Sequence, residues 1–519
     1  MAAPQKRLEH DRKRADEHQL AGRPAEAVAL YRKVLARSPN NLDTLWGLGC
    51  ALTTLKEYAE AADALSRLTE LAPERAEAQH NLGRVLHETG QTDAAVAAFR
   101  LAAGRFATPE MPLGAIATII PGASSASNQA ILEARRAMGA CSDVSPMALP
   151  SRPAPKAGER IRVGYVSSFF TERNWMKQVW ALINHHDRAR VEVHLFSDGP
   201  LSAVGEEFRG HDEDWFHNIA QTSNQQAAQI IADQRIDVLV DLNAYSKPSR
   251  LPVFQYRPAP VTVAWYNAYA TLGLTCFDYL IGDGVVIPAE EEPYYTERIL
   301  RLSGSYLPLE VGYAVPDVVP PPCLSRGFIT FGCLAPQYKI TPAVIAAFAD
   351  VLKRCPESRL VLKNRFLGSP SNQRYVQKQF EQQGVDAARI QMDGPAEHFD
   401  FIAKYSEIDL TLDSFPYNGG TTTMESLWQG VPVLCFRGDR WASRISESIV
   451  RSAGLPEFVA ADADGFRELA VRLANDSNTP ALLARVRSGM RDHLRAWPIC
   501  DVERFARNME DVYQSICKW

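Results

Sequence analysis

Leu412-Asp-Ser-Phe-Pro-Tyr-Asn-Gly-Gly-Thr-Thr-Thr-Met-Glu-Ser-Leu-Trp-Gln-Gly-Val-Pro-Val433 reads as strand, loop, helix and strand. An apolar strand over 409–413 ends in a tight loop at Asn418, Gly419 and Gly420, and Thr421, Thr422 and Thr423 open a helix over 420–429. Glycines let a backbone approach a bulky anion. Free N–H groups at a helix start, together with the helix dipole, attract phosphate, and threonine hydroxyls add donors. Glu425, one turn into the helix, is placed to accept from ribose hydroxyls, as acidic residues do in dinucleotide folds. A capped helix without a ligand is the plain alternative, and the length of the motif weighs against it.

The same alternation extends outward. Downstream of residue 328 come strands at 328–332, 359–363, 390–392 and 432–436, with helices at 342–353, 371–383 and 397–408. Upstream lie strands at 162–168, 191–197, 237–242, 261–265, 279–283 and 298–302, with helices at 175–185 and 224–234. Strands alternating with helices imply parallel sheets. Two α/β halves, 159–315 and 328–519, are expected on either side of a Pro-rich linker at 316–327. Open parallel sheets bind ligands beyond the carboxyl ends of their strands, so the facing edges are expected to line a cleft. Lys339, in Pro336-Gln-Tyr-Lys-Ile340 after the first strand of the second half, offers a compact positive charge for a departing diphosphate. Gln337 belongs to the same constellation and joins the binding candidates.

The N-terminal third repeats. Gly22-Arg-Pro-Ala-Glu-Ala27, Lys56-Glu-Tyr-Ala-Glu-Ala61 and Gly90-Gln-Thr-Asp-Ala-Ala95 are offset by 34 residues each time. Ala15, Gly49 and Gly83 form a small column, and Tyr31, Leu65 and Phe99 a large one. These look like three tetratricopeptide repeats over 1–109. The small residues let paired helices approach, the large ones are expected to fill the gap to the next repeat, and the array should present a groove able to hold a polypeptide. Removing residues 1–109 is expected to weaken or redirect protein modification while leaving nucleotide binding largely intact. Residues 110–158 read as a connecting segment with one helix near 128–138.

Composition sets the outer limits. A chain of 519 residues suggests three or four domains. With 46% hydrophobic and 23% charged residues it is not a disordered chain. A net charge of −5 argues against general nucleic-acid binding. The apolar run at 111–120 is too short to span a bilayer, and the charged N-terminus lacks a signal-peptide core. Nine cysteines, an odd number with no CxxC, fit reduced thiols in a cytoplasm and not a zinc site. No metal site is expected either: no HxxxH occurs, no DxD stands at a strand end, and Ala461-Asp-Ala-Asp-Gly465 reads as loop.

The chain resembles the O-linked N-acetylglucosamine transferases and their SPINDLY relatives, glycosyltransferase family 41, over nearly its whole length. The matching pieces are Arg162-Val-Gly-Tyr-Val-Ser-Ser168, Val240-Asp-Leu-Asn243, Arg257-Pro-Ala-Pro260, Tyr338-Lys-Ile340, Leu412 to Pro432 and Ala442-Ser-Arg444. The resemblance implies a tetratricopeptide α-solenoid followed by a GT-B fold of two Rossmann-like domains. It also implies inverting, metal-independent transfer from a nucleoside-diphosphate sugar to protein hydroxyls, with no further cofactor. Lys339 then corresponds to the family's diphosphate lysine, Thr421 and Thr422 to its phosphate-contacting threonines, and His398 to a histidine packed near the nucleotide base. The pattern departs at four places. Gly420 stands where the animal-type enzymes have histidine, Glu425 where they have aspartate, residues 169–177 carry no histidine, and Asn267-Ala-Tyr-Ala-Thr271 replaces a Gly-Tyr-Pro-Gly-Thr. The donor side therefore transfers better than the sugar and acceptor side. A UDP-sugar carrying N-acetylglucosamine is favoured, with glucose, rhamnose and GDP-fucose donors left open. A repeat scaffold with weakened activity and a nucleotide-sugar epimerase are the rivals, and the peptide-binding repeats argue against the latter. No general base is evident; a polar group between Arg173 and Lys177, or a phosphate oxygen, is the candidate.

Overall fold

The 34-residue spacing is realised as three helix pairs in the computed structural model, which describes residues 3–150, 153–156, 158–172, 175–199, 208–246 and 248–517. The pairs are α1 (Ala3–Leu20) with α2 (Pro24–Leu35), α3 (Leu42–Thr54) with α4 (Tyr58–Leu71), and α5 (Ala76–Glu88) with α6 (Thr92–Ala103). Gly22, Lys56 and Gly90 occupy the turns inside the pairs with φ of 70°, 62° and 88°, so one left-handed step recurs at each helix end. The small column works at short range. A Cβ on Gly49 would lie 2.7 Å from Leu65, and one on Gly83 would lie 2.8 Å from Phe99. Leu65 and Phe99 thus pack against the small residue of their own repeats. Tyr31 does reach across: its ring lies 2.5 Å from where a Cβ of Gly47 in the second pair would be.

The apolar run at 111–120 is a packing helix, α7 (Glu110–Ile119), set against α6. No helix among the described residues is long and apolar enough to cross a membrane. The connecting segment therefore holds a second helix besides α8 (Asn128–Gly139), whose N-cap Ser127 accepts from Ala130 N at 3.2 Å.

The first sheet contains β1 (Ile161–Ser167), β2 (Val191–Ser197), β3 (Trp215–Asn218), β4 (Val238–Asp241), β5 (Val261–Ala264), β6 (Tyr279–Asp283) and β7 (Arg298–Leu302). Its order is β3-β2-β1-β4-β5-β6-β7, all parallel, with α9 (Lys177–His185), α10 (Asn224–Asp233) and α11 (Leu251–Gln255) in the crossovers. The order reverses between β1 and β4, the switch point where such sheets open a crevice. β3 was not expected: it is a short edge strand whose Trp215 is exposed, so no buried apolar run announces it.

After α12 (Cys323–Arg326) the chain continues through β8 (Thr330–Cys333), α13 (Pro342–Arg354), β9 (Arg359–Lys363), α14 (Pro370–Gln382) and β10 (Ile390–Asp393). Then come α15 (His398–Ala403), β11 (Leu410–Leu412), α16 (Thr421–Trp428), β12 (Val433–Phe436), α17 (Ile445–Ser452) and β13 (Val459–Ala460). Three helices close the chain: α18 (Ala463–Asn475), α19 (Thr479–Arg495) and α20 (Val502–Ile516). The helix expected over 397–408 is α15 followed by a 3-10 turn, Lys404–Glu407. Ala461 to Gly465 is not a loop but a helix start, with the Asp462 carboxylate accepting from Gly465 N at 2.7 Å. The cysteines form no disulfide.

The chain divides into two compact units: Met1–Ser125 with Phe328–Ala396, and Ala126–Gly327 with Glu397–Trp519. In the first, β10, β9 and β8 are parallel neighbours, and the repeats dock on their surroundings. Asn372 donates to Lys56 O at 2.8 Å and accepts from Ala59 N at 3.1 Å. The Glu57 carboxylate accepts from the Ser369 and Ser371 hydroxyls, and Tyr58 lies parallel to Phe366 at 6.1 Å. In the second unit, β11, β12 and β13 are parallel, and α20 returns to α9. There the buried Glu510 takes His186 at 3.1 Å, Arg190 at 3.0 Å and Arg507 at 3.1 Å. Arg444 is a strap of the same kind, buried and bound to Gly438 O at 2.9 Å, Val286 O at 3.3 Å and the Glu291 carboxylate.

Gly83→Val should test the tight repeat packing. Its Cβ enters the Phe99 ring, and overpacking of this kind costs about 1–3 kcal/mol. A thermal melt followed by circular dichroism should show a lower midpoint for the variant; an unchanged midpoint would contradict the close approach of α5 and α6.

Candidate functional site

The quoted motif folds as read, and most of its polar atoms are spent on shaping the loop. The Asp413 carboxylate, just past β11, accepts from Gly419 N at 2.9 Å. The Asn418 amide donates to Ser414 O at 2.8 Å, and Asn418 N donates to Ala442 O at 2.9 Å. A Cβ on Gly419 would lie 2.5 Å from Thr423 Oγ1 and 2.8 Å from Thr422 Oγ1, so a side chain here would have to displace both threonine hydroxyls. Gly420 is the N-cap of α16 and brings no side chain to cap it. The N–H groups of the first turn, Thr421 to Thr423, therefore have neither an intrahelical acceptor nor a side-chain cap. The three threonines divide: the Thr423 hydroxyl is buried 2.8 Å from Ser446 Oγ, while Thr421 and Thr422 are partly exposed. Tyr405 braces the turn by donating to Thr422 O at 2.9 Å.

Beside Thr421 lies the loop after β5. Tyr266 and Tyr269 adopt positive φ, 74° and 54°, which is uncommon for bulky residues and persists only where surroundings enforce it. The Tyr266 hydroxyl meets the Thr421 side chain and bonds Gln178 Oε1 at 3.2 Å. The loop is enforced from below by Arg135 of α8, which donates to Ala268 O, Ala270 O and Thr271 O at 3.0, 3.2 and 2.6 Å under the Tyr245 ring. Arg135 belongs to none of the sequence motifs. Its only signal is an arginine on the face of α8 that also carries Ile131 and Leu132, both buried.

One turn into α16, Glu425 is buried, and its Oε1 accepts from Lys177 Nζ at 2.7 Å. The same Nζ donates to His398 Nε2 at 2.7 Å and sits 4.0 Å above the Tyr313 ring. Burial, then the neighbouring Lys177 charge, pushes the His398 imidazole down to about 4, so the ring is neutral at physiological pH with its proton on Nδ1. Burial raises Glu425 against the opposing pull of Lys177. The expected ribose acceptor is thus already paired. Lys177, from the stretch expected to offer a general base, is engaged with both Glu425 and His398, and Arg173 and Asn174 of that stretch lie outside the described residues. Lys177 and Tyr313 are functional candidates that sequence reasoning did not place here. The expected His398 and Glu425 do come together, 3.4 Å apart. A cavity of about 570 Å³ opens at the other end of α16, lined by Trp428, Trp497, Arg495, Glu310 and His185; none of the expected site residues lines it.

Gln337 and Lys339 belong to the first unit, on a 3-10 turn, Gln337–Lys339, where both are buried. Gln337 Oε1 accepts from Asn364 at 3.4 Å, while its Nε2 is buried with no hydrogen-bond partner among the described residues. A donor left without a partner costs about 1–3 kcal/mol, which an incoming acceptor would recover. The third repeat packs directly on this turn. His87 stacks on Tyr338 at 5.0 Å, and Gly90 faces Ile340 O.

The profile of glycosyl transferase family 41 matches residues 143–309 and 323–509, and two tetratricopeptide profiles match 19–80 and 55–112. The tomato protein described as a probable UDP-N-acetylglucosamine–peptide N-acetylglucosaminyltransferase SPINDLY is 31% identical over 68% of this chain and 38% of its own length. Its Arabidopsis thaliana counterpart is 32% identical over 69% and 39%. The chain thus spans well under half the length of these curated relatives. A solved structure of a mutant O-GlcNAc transferase from Thermobaculum terrenum superposes with a TM-score of 0.82 at 29% identity, covering 100% of this chain and 98% of that one.

Lys177→Met should expose the weight of the buried pair. Removing one partner leaves an uncompensated charge, at a cost of about 3–5 kcal/mol. Without Lys177 the Glu425 carboxyl is raised further, so the folded state holds its proton more tightly than the unfolded state does. Stability then falls as pH climbs from the unfolded towards the folded value. Urea denaturation of variant and parent should show a larger deficit at pH 8 than at pH 5. Equal deficits would mean that Glu425 is not the group left uncompensated.

Proposed function

The chain belongs to glycosyl transferase family 41, and on that premise we propose that it is an inverting, metal-independent protein glycosyltransferase. It moves a sugar, N-acetylglucosamine in the favoured reading, from a UDP-sugar to Ser or Thr hydroxyls of a polypeptide held by the repeats, in the cytoplasm. The observation that carries the reading is the uncapped start of α16 behind Gly419, with Thr421 and Thr422 half-exposed beside it. Backbone donors at a helix start are suited to a diphosphate.

In the proposed reaction the acceptor oxygen attacks the anomeric carbon, the bond from that carbon to the diphosphate oxygen breaks, and the acceptor proton leaves to a base. Negative charge gathers on the diphosphate. The N–H groups of Thr421 and Thr422, with their hydroxyls, bind and stabilise it. Lys339 supplies a compact positive charge, worth most as the leaving group forms. The Gln337 amide offers a further donor. The neutral His398 ring, held by Lys177, presents a flat, uncharged surface suited to a nucleobase. Glu425 sets that ring through Lys177, and Asn418, Gly419, Gly420 and Thr423 hold the phosphate loop in shape.

A thermal-shift panel of UDP-, GDP- and dTDP-sugars tests the donor class, since a ligand at 100 times its Kd stabilises by about 2.7 kcal/mol. Mass spectrometry of co-expressed candidate acceptors tests the transfer; no shift with any nucleotide sugar and no modified protein would overturn the reading. Lys339→Ala should lower turnover by about 10²–10³-fold while donor affinity falls much less, and Lys339→Arg should rescue poorly because a planar fork does not replace an ammonium. Activity should survive EDTA; loss with EDTA and recovery with Mn²⁺ or Mg²⁺ would remove the metal-independent mechanism.

A further inference from the structure

The three turns at Gly22, Lys56 and Gly90 are equivalent in the repeat and share one backbone conformation, yet their surroundings differ. A Cβ on Gly22 would meet nothing within 4 Å. Lys56 shows that the conformation tolerates a side chain, with φ at 62°. A Cβ on Gly90 would lie 2.4 Å from Ile340 O and 3.1 Å from Gln337 O. Those carbonyls belong to the turn that carries Lys339, which is closed by Lys339 N to Pro336 O at 2.9 Å and Ile340 N to Gln337 O at 2.8 Å. Three residues before Gly90, His87 stacks on Tyr338 at 5.0 Å with 27° between the planes. Its Nδ1 lies 3.4 Å from the Thr92 hydroxyl.

We propose that the third repeat is part of the transfer apparatus: Gly90 and His87 are positioning residues that seat the Gln337–Lys339 turn and thereby aim Lys339. The proposal rests on the reading of Lys339 as the charge that meets the diphosphate. A repeat that only held the acceptor would need no glycine closed against a carbonyl of the lysine turn. The second repeat docks on residues 366–372, with Glu57 on Ser369 and Ser371, Lys56 O on Asn372 and Tyr58 on Phe366. The third touches the lysine turn itself with backbone and ring, contacts that transmit small displacements stiffly. Misplacing a catalytic group by about 1 Å costs on the order of 10²-fold in rate.

The test compares Gly90→Ala with Gly22→Ala in the full chain. Both place a side chain at positive φ, so both carry the same backbone penalty, and only Gly90→Ala pushes on the lysine turn. Hydrogen exchange read by mass spectrometry should speed up over residues 336–341 in Gly90→Ala and not in Gly22→Ala. UDP release from UDP-N-acetylglucosamine into water, with no acceptor present, removes acceptor recognition from the measurement. There Gly90→Ala should lower kcat about 10-fold or more with donor KM within about twofold, while Gly22→Ala stays near the parent. His87→Ala should act in the same direction, and His87→Phe, which keeps a stacking ring, should recover most of the rate. Unchanged exchange at 336–341 in Gly90→Ala overturns the proposal whether or not this donor is turned over. Lys339→Ala run alongside separates the two ideas. If it abolishes turnover and Gly90→Ala does not lower it, the seating role is wrong; if it leaves turnover unchanged, the reading of Lys339 itself fails.

Discussion

A cation buried at the start of a helix is an unfavourable object, and Lys177 is one. It is the first residue of α9, where the helix dipole already presents positive charge, and it is almost wholly removed from water. Glu425 makes the arrangement tolerable at 2.7 Å, and the lone pair of a neutral His398 takes a second ammonium proton. The pair ties a helix of the first sheet to α16, whose opening turn carries the threonines. Desolvation of both ions makes such a pair a weak source of stability and a strong source of register, because a rotation of α16 that parts the charges leaves both buried and unmatched. The position of α16 against α9 follows from that requirement, and the Tyr313 ring completes the surroundings of the ammonium at 4.0 Å.

The order of elements was legible because it is written in apolar runs. Val163 to Val166, Val238 to Val240 and Leu360 to Leu362 are buried on both faces and read as parallel strands. Where burial fails, no strand is announced: β3 is an edge strand with no fully buried residue, and β13 is two half-buried residues long. The repeat columns were legible for the same reason, but a column says that residues are equivalent and not what each touches. Leu65 and Phe99 fill the space over a glycine of their own repeats, while Tyr31 fills the space over a glycine of the next.

The site was half legible. A motif names residues whose types suit phosphate, and the fold places Thr421 and Thr422 at an uncapped helix start as read. It cannot name partners that arrive from remote sequence. Lys177 reaches Glu425 across 248 positions, and Arg135 reaches the strained tyrosine loop across more than 130. Several pieces that carry the family resemblance serve to hold the scaffold: Arg257 clamps Asp278 through two contacts of 2.9 Å, Asn243 holds Ser167 at 2.8 Å, and Arg444 straps three acceptors. Similarity in sequence marks the frame at least as strongly as it marks the chemistry.

The two glycines before the threonines have opposite prospects under mutation. Gly419 is closed in by oxygen atoms on two threonines, and any drift there is blocked by the atoms that make the loop useful. Gly420 has an ordinary φ of −127°, and the nearest atom to a Cβ placed on it is the Ile445 Cγ2 at 3.8 Å. A lineage can therefore add, lose or exchange a side chain at 420 without refolding the turn. One residue from the uncapped turn of α16, the architecture leaves a position open to heritable variation, where new side chains can be tried while the loop around Gly419 stays fixed.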